Sequence, residues 1–342
     1  RHGLIMATYK DIRGTNVKTV SSDPPAPVNG QVWYNSTSQT MKGFTSNSAG
    51  SWASGGNVNT ARYVSGGSGT QTAALMIAGA TSPPNVKRAF VESYNGSSWT
   101  EIADLNTARF LVAAAGGPAG QTASLAIGGG ADPGNLAIVE SWNGSSWTEV
   151  GDLNTARQQS SGAGTSTAAI TFGGYASFPS PEDTTESWNG SSWTEVNDLN
   201  TARLYGASSG TSTSALYFGG DDGATPTVLA VTESWDGTSW TEVGDLNEAR
   251  SILAGGGTTN TSAVAFGGYP GSGRTGKTES YNGSSWTELN DLSTARGRMS
   301  SGPMGTQGSS LAVSGHPPSF PLTQATEEWT TPVETTVTFT TS

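Results

Sequence analysis

The sequence contains no cysteine, and this absence excludes several kinds of chemistry at once. Disulfide bonds, thiolate metal ligands and cysteine nucleophiles are ruled out. Histidine is nearly as scarce, with two residues, His2 and His316, so imidazole offers little for metal binding or general-base catalysis. We therefore expect no cofactor and no metal site.

Charged residues and long apolar runs are also scarce. Charged side chains make up 13% of the 342 residues, and the net charge is −11. Most of this acidity belongs to a repeated motif, and without a basic stripe nucleic-acid binding is disfavoured. No apolar run approaches membrane-spanning length, which disfavours membrane insertion. Residues 1–5 are too short and polar for a signal peptide, so we expect no secretion by that route.

The dominant feature is a repeated stretch of eleven residues, clearest at 186–196 as Glu-Ser-Trp-Asn-Gly-Ser-Ser-Trp-Thr-Glu-Val. The copies are spaced by 46 to 48 residues. Such a period indicates a repeat architecture. Copies begin at Glu92, Glu140, Glu186, Glu233 and Glu279, with a degenerate copy at Glu327.

The Asn-Gly pair in each copy predicts a β-hairpin, because both central residues of a type I′ turn need positive φ. With this pair as a two-residue turn, Glu186 would face Trp193. A four-residue turn would instead place Glu186 opposite Glu195, where like charges repel. We therefore predict the two-residue turn.

Each unit also carries the signals of four short strands. In the second unit, small residues at 110–116 precede an apolar run at 124–127, and the two halves of the hairpin follow at 139–142 and 147–150. Four short strands in about 47 residues are typical of a propeller blade. The first strand should line the centre, where its small residues predict close packing without a row of titratable groups.

Three further features recur at fixed positions: an arginine that opens each unit, a glycine pair after the second strand, and an aromatic residue and a tryptophan on either side of the hairpin turn. They are Arg62, Arg109, Arg157, Arg203, Arg250 and Arg296, the pairs 128–129, 173–174, 219–220 and 267–268, and Tyr94 with Trp99, Trp142 with Trp147, Trp188 with Trp193, Trp235 with Trp240 and Tyr281 with Trp286. In these features the chain resembles the Kelch repeat family. The resemblance implies a β-propeller with one blade per repeat.

Six opening arginines predict six blades of four antiparallel strands each, in an all-β fold. The sixth unit has no hairpin after its third strand near Trp329, whereas Trp52 lies upstream in a strand without a partner. We therefore predict that the strand of Trp52 joins the last blade and closes the ring, which removes an exposed sheet edge. The predicted domains are an N-terminal extension with a β-hairpin (1–43), the propeller (44–330) and a C-terminal tail strand (331–342).

The recurrent Arg, Glu and Asp residues are the most obvious polar set. Because identical residues in every blade cannot form one unique site, we interpret them as ion pairs between blades and as turn caps. The tryptophans are interpreted as core residues. The structural repeat residues are Arg109, Arg157, Arg203, Arg250, Trp147, Trp193, Trp240 and Trp286.

The loop between the second and third strands differs in every unit, whereas the Asn-Gly turn is nearly constant. In a propeller these connections emerge on opposite faces, so one face is standardised and the other presents variable loops. Aromatic and polar residues in these loops suit stacking on sugars or anchoring a protein partner, and the alternative is that they cover their own loops. The candidate ligand-binding rim is Lys87, Arg88, Tyr175, Phe178, Tyr269, Arg274, His316 and Phe320.

Residues 27–37, Pro-Val-Asn-Gly-Gln-Val-Trp-Tyr-Asn-Ser-Thr, resemble a short segment of tail-fibre and other virion structural proteins of bacteriophages. The resemblance implies a non-enzymatic tail-fibre, spike or decoration protein, made in the host cytoplasm and located on the extracellular virion. Its propeller would bind a host-surface glycan or receptor, or other parts of the virion. We expect residues 6–50 and the C-terminal tail to contact other virion proteins, with oligomers within the particle.

Two other functions stay open. A polysaccharide-acting enzyme would need two carboxylates about 5 to 10 Å apart on the rim, and the candidates are Glu182-Asp183 and Asp221-Asp222. The pair Asp221-Asp222 could also hold calcium, although such a turn is more often a solvated loop. A cellular Kelch-type interaction module is less favoured, because such proteins normally bring an oligomerisation domain.

Overall fold

A computed structural model describes residues 17–25, 27, 30–46, 49–177, 180–223, 227–331 and 334–339. The chain divides into two compact units, which are considered separately. One unit combines residues 1–50 with 332–342, and the other is Ser51–Thr331.

The first unit contains a four-stranded sheet, here called the terminal sheet, that joins the two ends of the chain. Its strands, in spatial order, are Lys18–Val20, Val32–Asn35, Thr40–Ser46 and Glu334–Phe339. The second and third strands form the hairpin expected in the N-terminal extension, with Val32 opposite Gly43. The C-terminal strand pairs antiparallel with the third strand, from Met41 opposite Phe339 to Ser46 opposite Glu334.

The second unit contains six four-stranded antiparallel sheets, which we number I to VI in chain order. The first strands are Gly66–Thr70, Ala113–Ala115, Ser161–Gly164, Ala207–Thr211, Ala254–Thr259 and Gly305–Thr306. The second strands are Ala73–Ile77, Ser124–Ile127, Ala169–Phe172, Ser214–Phe218, Ser262–Phe266 and Ser309–Val313. The third strands are Val91–Tyr94, Val139–Trp142, Thr185–Trp188, Thr232–Trp235, Thr278–Tyr281 and Thr326–Thr330. The fourth strands are Trp99–Glu101, Trp147–Glu149, Trp193–Val196, Trp240–Glu242, Trp286–Leu289 and, for sheet VI, Ser51–Ser54.

The predicted all-β chain of four-stranded antiparallel sheets is confirmed. In each of sheets I to V the strands follow one another as a meander, so neighbours in sequence are neighbours in space. Sheet VI takes its fourth strand from the start of the unit: Ser51–Ser54 pairs with the third strand and places Trp52 opposite Trp329. Two short hairpins, Ala80–Thr81 with Val86–Lys87 and Gly130–Ala131 with Gly134–Asn135, and one 3₁₀ turn at Gly117–Ala119 complete the elements.

The predicted two-residue turn is wrong, because the hairpin turns over four residues. Trp188 pairs with Trp193, and sheets I, II, IV and V have the same register. Of the Asn-Gly pair, only Gly190 has positive φ, at +95°. The side chain of Asn189 closes the turn instead, since its Oδ1 accepts hydrogen bonds from the backbone N–H groups of Ser191 at 2.9 Å and Ser192 at 3.0 Å.

The repulsion argument failed because one of the two facing glutamates is neutralised. Glu186 and Glu195 are directly opposite, but Glu186 is buried and forms an ion pair with Arg157, whereas Glu195 is exposed. The four-residue turn also brings the rings of Trp188 and Trp193 to 5.4 Å, a favourable aromatic contact.

Apolar residues fill the six interfaces between consecutive sheets. Each of the six hydrophobic clusters combines residues of two neighbouring sheets. The cluster between sheets VI and I joins Leu311 and Val313 to Ala74 and Met76. The first strands contact one another in the same order, and that of sheet VI contacts that of sheet I. The sheets of this unit therefore follow one another in a closed cycle.

Each opening arginine forms a buried ion pair with the glutamate of the third strand that follows it. The prediction of ion pairs between neighbouring repeats is wrong, because both partners belong to the same sequence repeat. In sheet I, Arg62 lies 3.2 Å from Glu92, whose carboxylate also accepts the backbone N–H of Asn59 at 2.6 Å. The pair thus holds the connector against the sheet it enters. The pairs are Arg62–Glu92, Arg109–Glu140, Arg157–Glu186, Arg203–Glu233, Arg250–Glu279 and Arg296–Glu327.

The fourth-strand tryptophans of sheets I to V are buried, that of sheet VI, Trp52, is partly buried, and most of the six donate a hydrogen bond to the preceding sheet. The indole N–H of Trp240, for example, reaches the hydroxyl of Thr185 at 3.0 Å. That threonine is the first residue of its third strand. The same contact joins Trp99 to Thr326, Trp286 to Thr232, and Trp52 to Thr278.

Sheets I and II depart from this pattern because valine occupies the threonine position. Opposite Val91, Trp147 donates its N–H to the carbonyl of Ala103 at 3.1 Å. Opposite Val139, the buried N–H of Trp193 has no partner among the described residues. Burying an unpaired donor is costly, so this interface lacks a contact that four others have.

Candidate ligand-binding site

The diversified loops and the constant hairpin turns leave the six sheets at opposite ends of the strands. The loops between second and third strands follow the glycine pairs, as at Gly219 and Gly220. The residue after each pair bridges to the residue after the opening arginine, as Asp221 does with Leu204. The segments that lead into the first strands therefore meet the variable loops at one end, here called the loop end.

Six equivalent residues, each two positions after an opening arginine, are joined in a closed cycle of backbone hydrogen bonds. We call them the axial residues: Val64, Leu111, Gln159, Tyr205, Ile252 and Arg298. The N–H of each donates to the carbonyl of the one before, and Val64 donates to Arg298. The N···O distances are 2.9 Å for Val64, 2.7 Å for Leu111, 3.1 Å for Gln159, 3.4 Å for Tyr205, 2.8 Å for Ile252 and 2.9 Å for Arg298.

All six axial residues have a left-handed backbone although none is glycine. Their φ values lie between +49° at Ile252 and +61° at Gln159 and Tyr205. This conformation is strained for ordinary residues, and most of all for β-branched ones such as Val64 and Ile252. The hydrogen-bond cycle holds the strained backbone in place, so the geometry is the same in all six units while the side chains differ.

A cavity of about 40 Å³ lies at the axial residues, and all six of them line it. Three of them, Val64, Leu111 and Ile252, are apolar. The other three, Gln159, Tyr205 and Arg298, are polar: Gln159 and Tyr205 are neighbours in the cycle, and Arg298 lies between Ile252 and Val64. The volume is that of a small polar group, since one water molecule occupies about 30 Å³ in the liquid.

Gln159 and Arg298 carry hydrogen-bonding atoms that have no partner among the described residues. Gln159 is 9% exposed, and its amide oxygen is buried without a partner among the described residues. The Nε atom of Arg298 is likewise buried and unpaired in that part of the chain. The guanidinium of Arg298 lies over the ring of Tyr63, 5.8 Å from its centroid, which holds the charge by a cation–π contact.

A second guanidinium, that of Arg274, lies beside the axial residues. It stacks on Tyr269 at 5.2 Å, and the Tyr269 hydroxyl donates to the carbonyl of Gly271 at 2.7 Å. A Cβ at Gly297 would be 3.3 Å from Cδ of Arg274, so the absence of a side chain there leaves room for the arginine. Among the described residues neither Arg274 nor Arg298 forms an ion pair.

The titration of these groups reflects burial and their mutual electrostatics. Burial lowers the pKa of Arg274, and the nearby positive charge of Arg298 lowers it further. Burial raises the pKa of Tyr205, with Arg298 opposing this and Asp221 reinforcing it. Burial also raises the pKa of the Asp221 carboxyl, which accepts the N–H of Gly223 at 2.8 Å. The site therefore combines two close cations with one carboxyl on the side of Tyr205.

The opposite end of the same axis is lined by small, uncharged residues. A cavity of about 140 Å³ there is lined by glycine, threonine and proline residues such as Gly69, Thr165 and Pro303. Its lining carries no charged side chain. Of the two cavities, the one at the loop end is therefore the one with charged and aromatic residues in its lining.

The candidate rim residues of the first loop are held by contacts close to them. Lys87 forms an ion pair with Asp132 of the next unit and lies 5.4 Å from the ring centroid of Phe110. Arg88 donates to the hydroxyl of Thr81 at 3.1 Å and stacks on Phe90. Neither Lys87 nor Arg88 is among the residues that line the cavity.

The remaining rim residues divide into two places. Tyr175 accepts a hydrogen bond from Gln158, next to an axial residue, and its backbone bridges to the same residue. His316 and Phe320 contact each other edge to face at 4.4 Å, and Phe320 is 60% exposed. Phe178 lies outside the described residues. Tyr175, Tyr269 and His316 each bridge to a residue next to an axial residue, and Arg274 lies beside Gly297. None of the described rim residues is among those that line the cavity.

Sequence reasoning missed the axial residues, although the sequence contains a signal for them. When the units are aligned on their opening arginines, the two residues that follow the arginine differ from unit to unit. These dipeptides are Tyr63-Val64, Phe110-Leu111, Gln158-Gln159, Leu204-Tyr205, Ser251-Ile252 and Gly297-Arg298. The expectation that the axis carries no titratable row holds for the small first strands but overlooked Tyr205 and Arg298 at the mouth.

Metal-ligand clusters and membrane-spanning helices are absent from the part of the chain that the structure describes. No group of three or more His, Asp or Glu residues that could hold a metal ion is found there. No described helix is long and apolar enough to cross a membrane. Comparison with protein-family models and with curated proteins gave no match. The assignment of function therefore rests on geometry and chemistry.

Proposed function

We propose that the unit Ser51–Thr331 is a six-bladed Kelch-like β-propeller in which sheets I to VI are the blades. Three observations support this architecture. The apolar clusters link all six sheets in cyclic order, including sheet VI with sheet I. The axial hydrogen bonds form a closed cycle. The strand Ser51–Ser54 completes the last sheet, so the chain has no unpaired edge at the junction.

We further propose that the protein is a non-enzymatic structural component of a bacteriophage virion that adheres through the loop end. The observation that carries this proposal is the contrast between two ends of one repeated scaffold. The hairpin turns repeat the same Asn-Gly-Ser chemistry, whereas the loop end combines a cavity with unpaired guanidinium and amide groups. Selective binding at one end accounts for both.

The terminal sheet is the proposed attachment to the particle. In the described part of the chain its edge strands are Lys18–Val20 and Glu334–Phe339. Edge strands can pair with a strand from another subunit, and main-chain hydrogen bonds supply the affinity. Phe339, at 49% exposure, adds an apolar contact on the C-terminal edge. Contact with virion proteins through 6–50 and the tail would follow from this pairing.

A glycan array paired with hydrolysis assays on the same glycans tests the adhesive function. We expect retention of a subset of surface glycans without release of products. Imaging of purified particles should locate the protein as a repeated ring. Product release would instead identify a polysaccharide-acting enzyme, and absence from particles would overturn the virion assignment.

A further inference from the structure

We infer that the axial cavity of the loop end binds the carboxylate of an acidic sugar, with Arg298 and Arg274 as its cationic ligands. This inference rests on the proposed adhesive function and names the chemical class of the glycan. Arg274 lies against Gly297, the residue before Arg298, since its Cδ is 3.3 Å from the ideal Cβ position of that glycine, and neither arginine forms an ion pair among the described residues. Placing like charges together is unfavourable unless an anion joins them.

The cavity selects for more than negative charge. Arg298 and Arg274 each have a buried Nε donor without a partner in the described chain, and these donors suit carboxylate oxygens. Gln159 presents a buried amide oxygen without a partner, which suits a hydroxyl donor. A ligand that satisfies both sets carries a carboxylate and a hydroxyl close together, as uronic acids do. An aspartate or glutamate side chain offers only the carboxylate.

The size and lining of the cavity agree with a sugar entering by one edge. About 40 Å³ accommodates a carboxylate group but not a whole pyranose ring, so the ring would lie at the mouth. Tyr205 lines the cavity, Tyr175 bridges to Gln158, and Asp221 bridges to Leu204, so the last two lie beside residues that precede axial residues. Aromatic faces stack on the C–H surface of a pyranose, and Asp221 adds an acceptor for its hydroxyls.

The test compares glucuronic acid with glucose, which differ only in the carboxylate, by titration calorimetry and ligand-observed NMR on the full-length protein. We expect glucuronic acid to bind and glucose to bind at least about tenfold more weakly, since charge-assisted hydrogen bonds are lost. Arg298→Gln and Arg274→Gln should each weaken glucuronic acid binding by about 10- to 100-fold while leaving weak glucose binding unchanged.

Arg88→Gln is the matched control, because Arg88 is also a loop arginine that stacks on an aromatic ring, but its Nε already donates to the hydroxyl of Thr81. It should leave binding unchanged. Neither Arg298→Gln nor Arg274→Gln should alter thermal unfolding, since no ion pair is removed in the described chain. Equal loss from all three substitutions would mean nonspecific attraction and would overturn the inference.

Further outcomes separate this inference from the adhesive function itself. Equal binding of glucose and glucuronic acid, or wild-type affinity in both Arg298→Gln and Arg274→Gln, would overturn the acidic-sugar site while leaving glycan adhesion in place. Equal, arginine-dependent binding of a poly-glutamate peptide would also overturn it, because the hydroxyl requirement would be absent. Retention of no glycan on the array, combined with arginine-dependent binding of glucuronic acid, would reject the adhesive function and support the cavity.

Discussion

At the residue scale, the repeat allows the same position to be compared between the six sheets. The third-strand threonine that accepts an indole N–H is replaced by valine at Val91 and Val139, and the two sites respond differently. Trp147 finds another acceptor in Ala103, whereas Trp193 finds none among the described residues. The missing acceptor for Trp193 can therefore be supplied by threonine at position 139, the residue that four other sheets carry there.

The substitution Val139→Thr should stabilise the protein by about 1 kcal/mol, because a buried N–H gains an acceptor. Denaturant unfolding with a constant m-value measures the change. Val91→Thr is the control, since it adds a hydroxyl where Trp147 is already paired. The same gain from both substitutions would contradict this explanation.

Asp23 provides a pH-dependent prediction in the terminal sheet. Its carboxylate accepts hydrogen bonds from Lys42 at 2.7 Å, Asn35 at 2.7 Å and Trp33 at 3.0 Å. These bonds, with that of Lys42 the largest cause, lower the pKa of Asp23 from 3.8 to about 2. Because the folded pKa lies below the unfolded one, the stabilisation is complete above about pH 4 and is lost as the pH falls towards 2.

The indole N–H resonance of Trp33 should report this titration with a midpoint near 2, because Trp33 donates to the ionising carboxylate. Asp23→Asn should abolish the titration and make the terminal sheet insensitive to acid in this range. A midpoint near 4 in the native protein would mean that the three hydrogen bonds do not form in solution.

At the scale of the element, the hairpin turn is defined by one side chain. The Oδ1 atom of Asn189 accepts hydrogen bonds from two backbone N–H groups. In sheet IV, Oδ1 of Asp236 has the same role and accepts the backbone N–H groups of Thr238 and Ser239, both at 2.8 Å. The hydrogen bond from the Ser239 N–H, with that from Thr238, lowers the pKa of Asp236. The turn therefore requires a short acceptor, either amide or carboxylate.

Asn189→Ala should destabilise the protein by about 1 to 2 kcal/mol, since two turn N–H groups lose their acceptor. Asn189→Asp should be tolerated at neutral pH, as the sheet IV turn already uses aspartate, and should lose stability as the pH falls below about 4. Thermal unfolding of both variants at pH 7 and pH 3 measures these effects. Equal destabilisation by alanine and aspartate at pH 7 would contradict the role of the acceptor.

Much of the element level could be predicted from the sequence, and the failures have identifiable physical causes. The four strands of each unit and the pairing of the Trp52 strand with the last sheet followed from spacing and from an unpartnered strand. The turn length did not, because pairwise repulsion between Glu186 and Glu195 was considered without Arg157, which comes from a segment about 30 residues earlier in the chain. The axial site was missed because its residues lie close only after the six units meet.

At the scale of the whole molecule, sheet VI differs from the others in how its fourth strand is connected. Ser51–Ser54 has no hairpin linking it to the third strand and is held by pairing and by Trp52. Trp52 packs on Phe266 at 4.9 Å and on Trp329 at 5.3 Å, and donates to Thr278 at 2.9 Å. This junction depends more on side-chain contacts than any junction with a hairpin.

Trp52→Ala should accelerate amide exchange in residues 51–54 and across sheet VI, whereas Trp240→Ala should cause less local exchange because its strand remains joined by the turn at 236–239. Hydrogen exchange with mass spectrometry resolves the two regions. Each truncation should cost about 3 to 5 kcal/mol of global stability. Indistinguishable local exchange in the two variants would contradict a special role for the junction.

The pairing of Thr40–Ser46 with Glu334–Phe339 has a mechanical consequence. The chain leaves the terminal sheet for the larger unit at one strand and returns at the adjacent strand, so two covalent tethers connect them. If the terminal sheet is anchored and the larger unit holds a surface, the pulling force divides between these tethers. A single proteolytic cut in either connection would still leave the larger unit covalently attached to the terminal sheet.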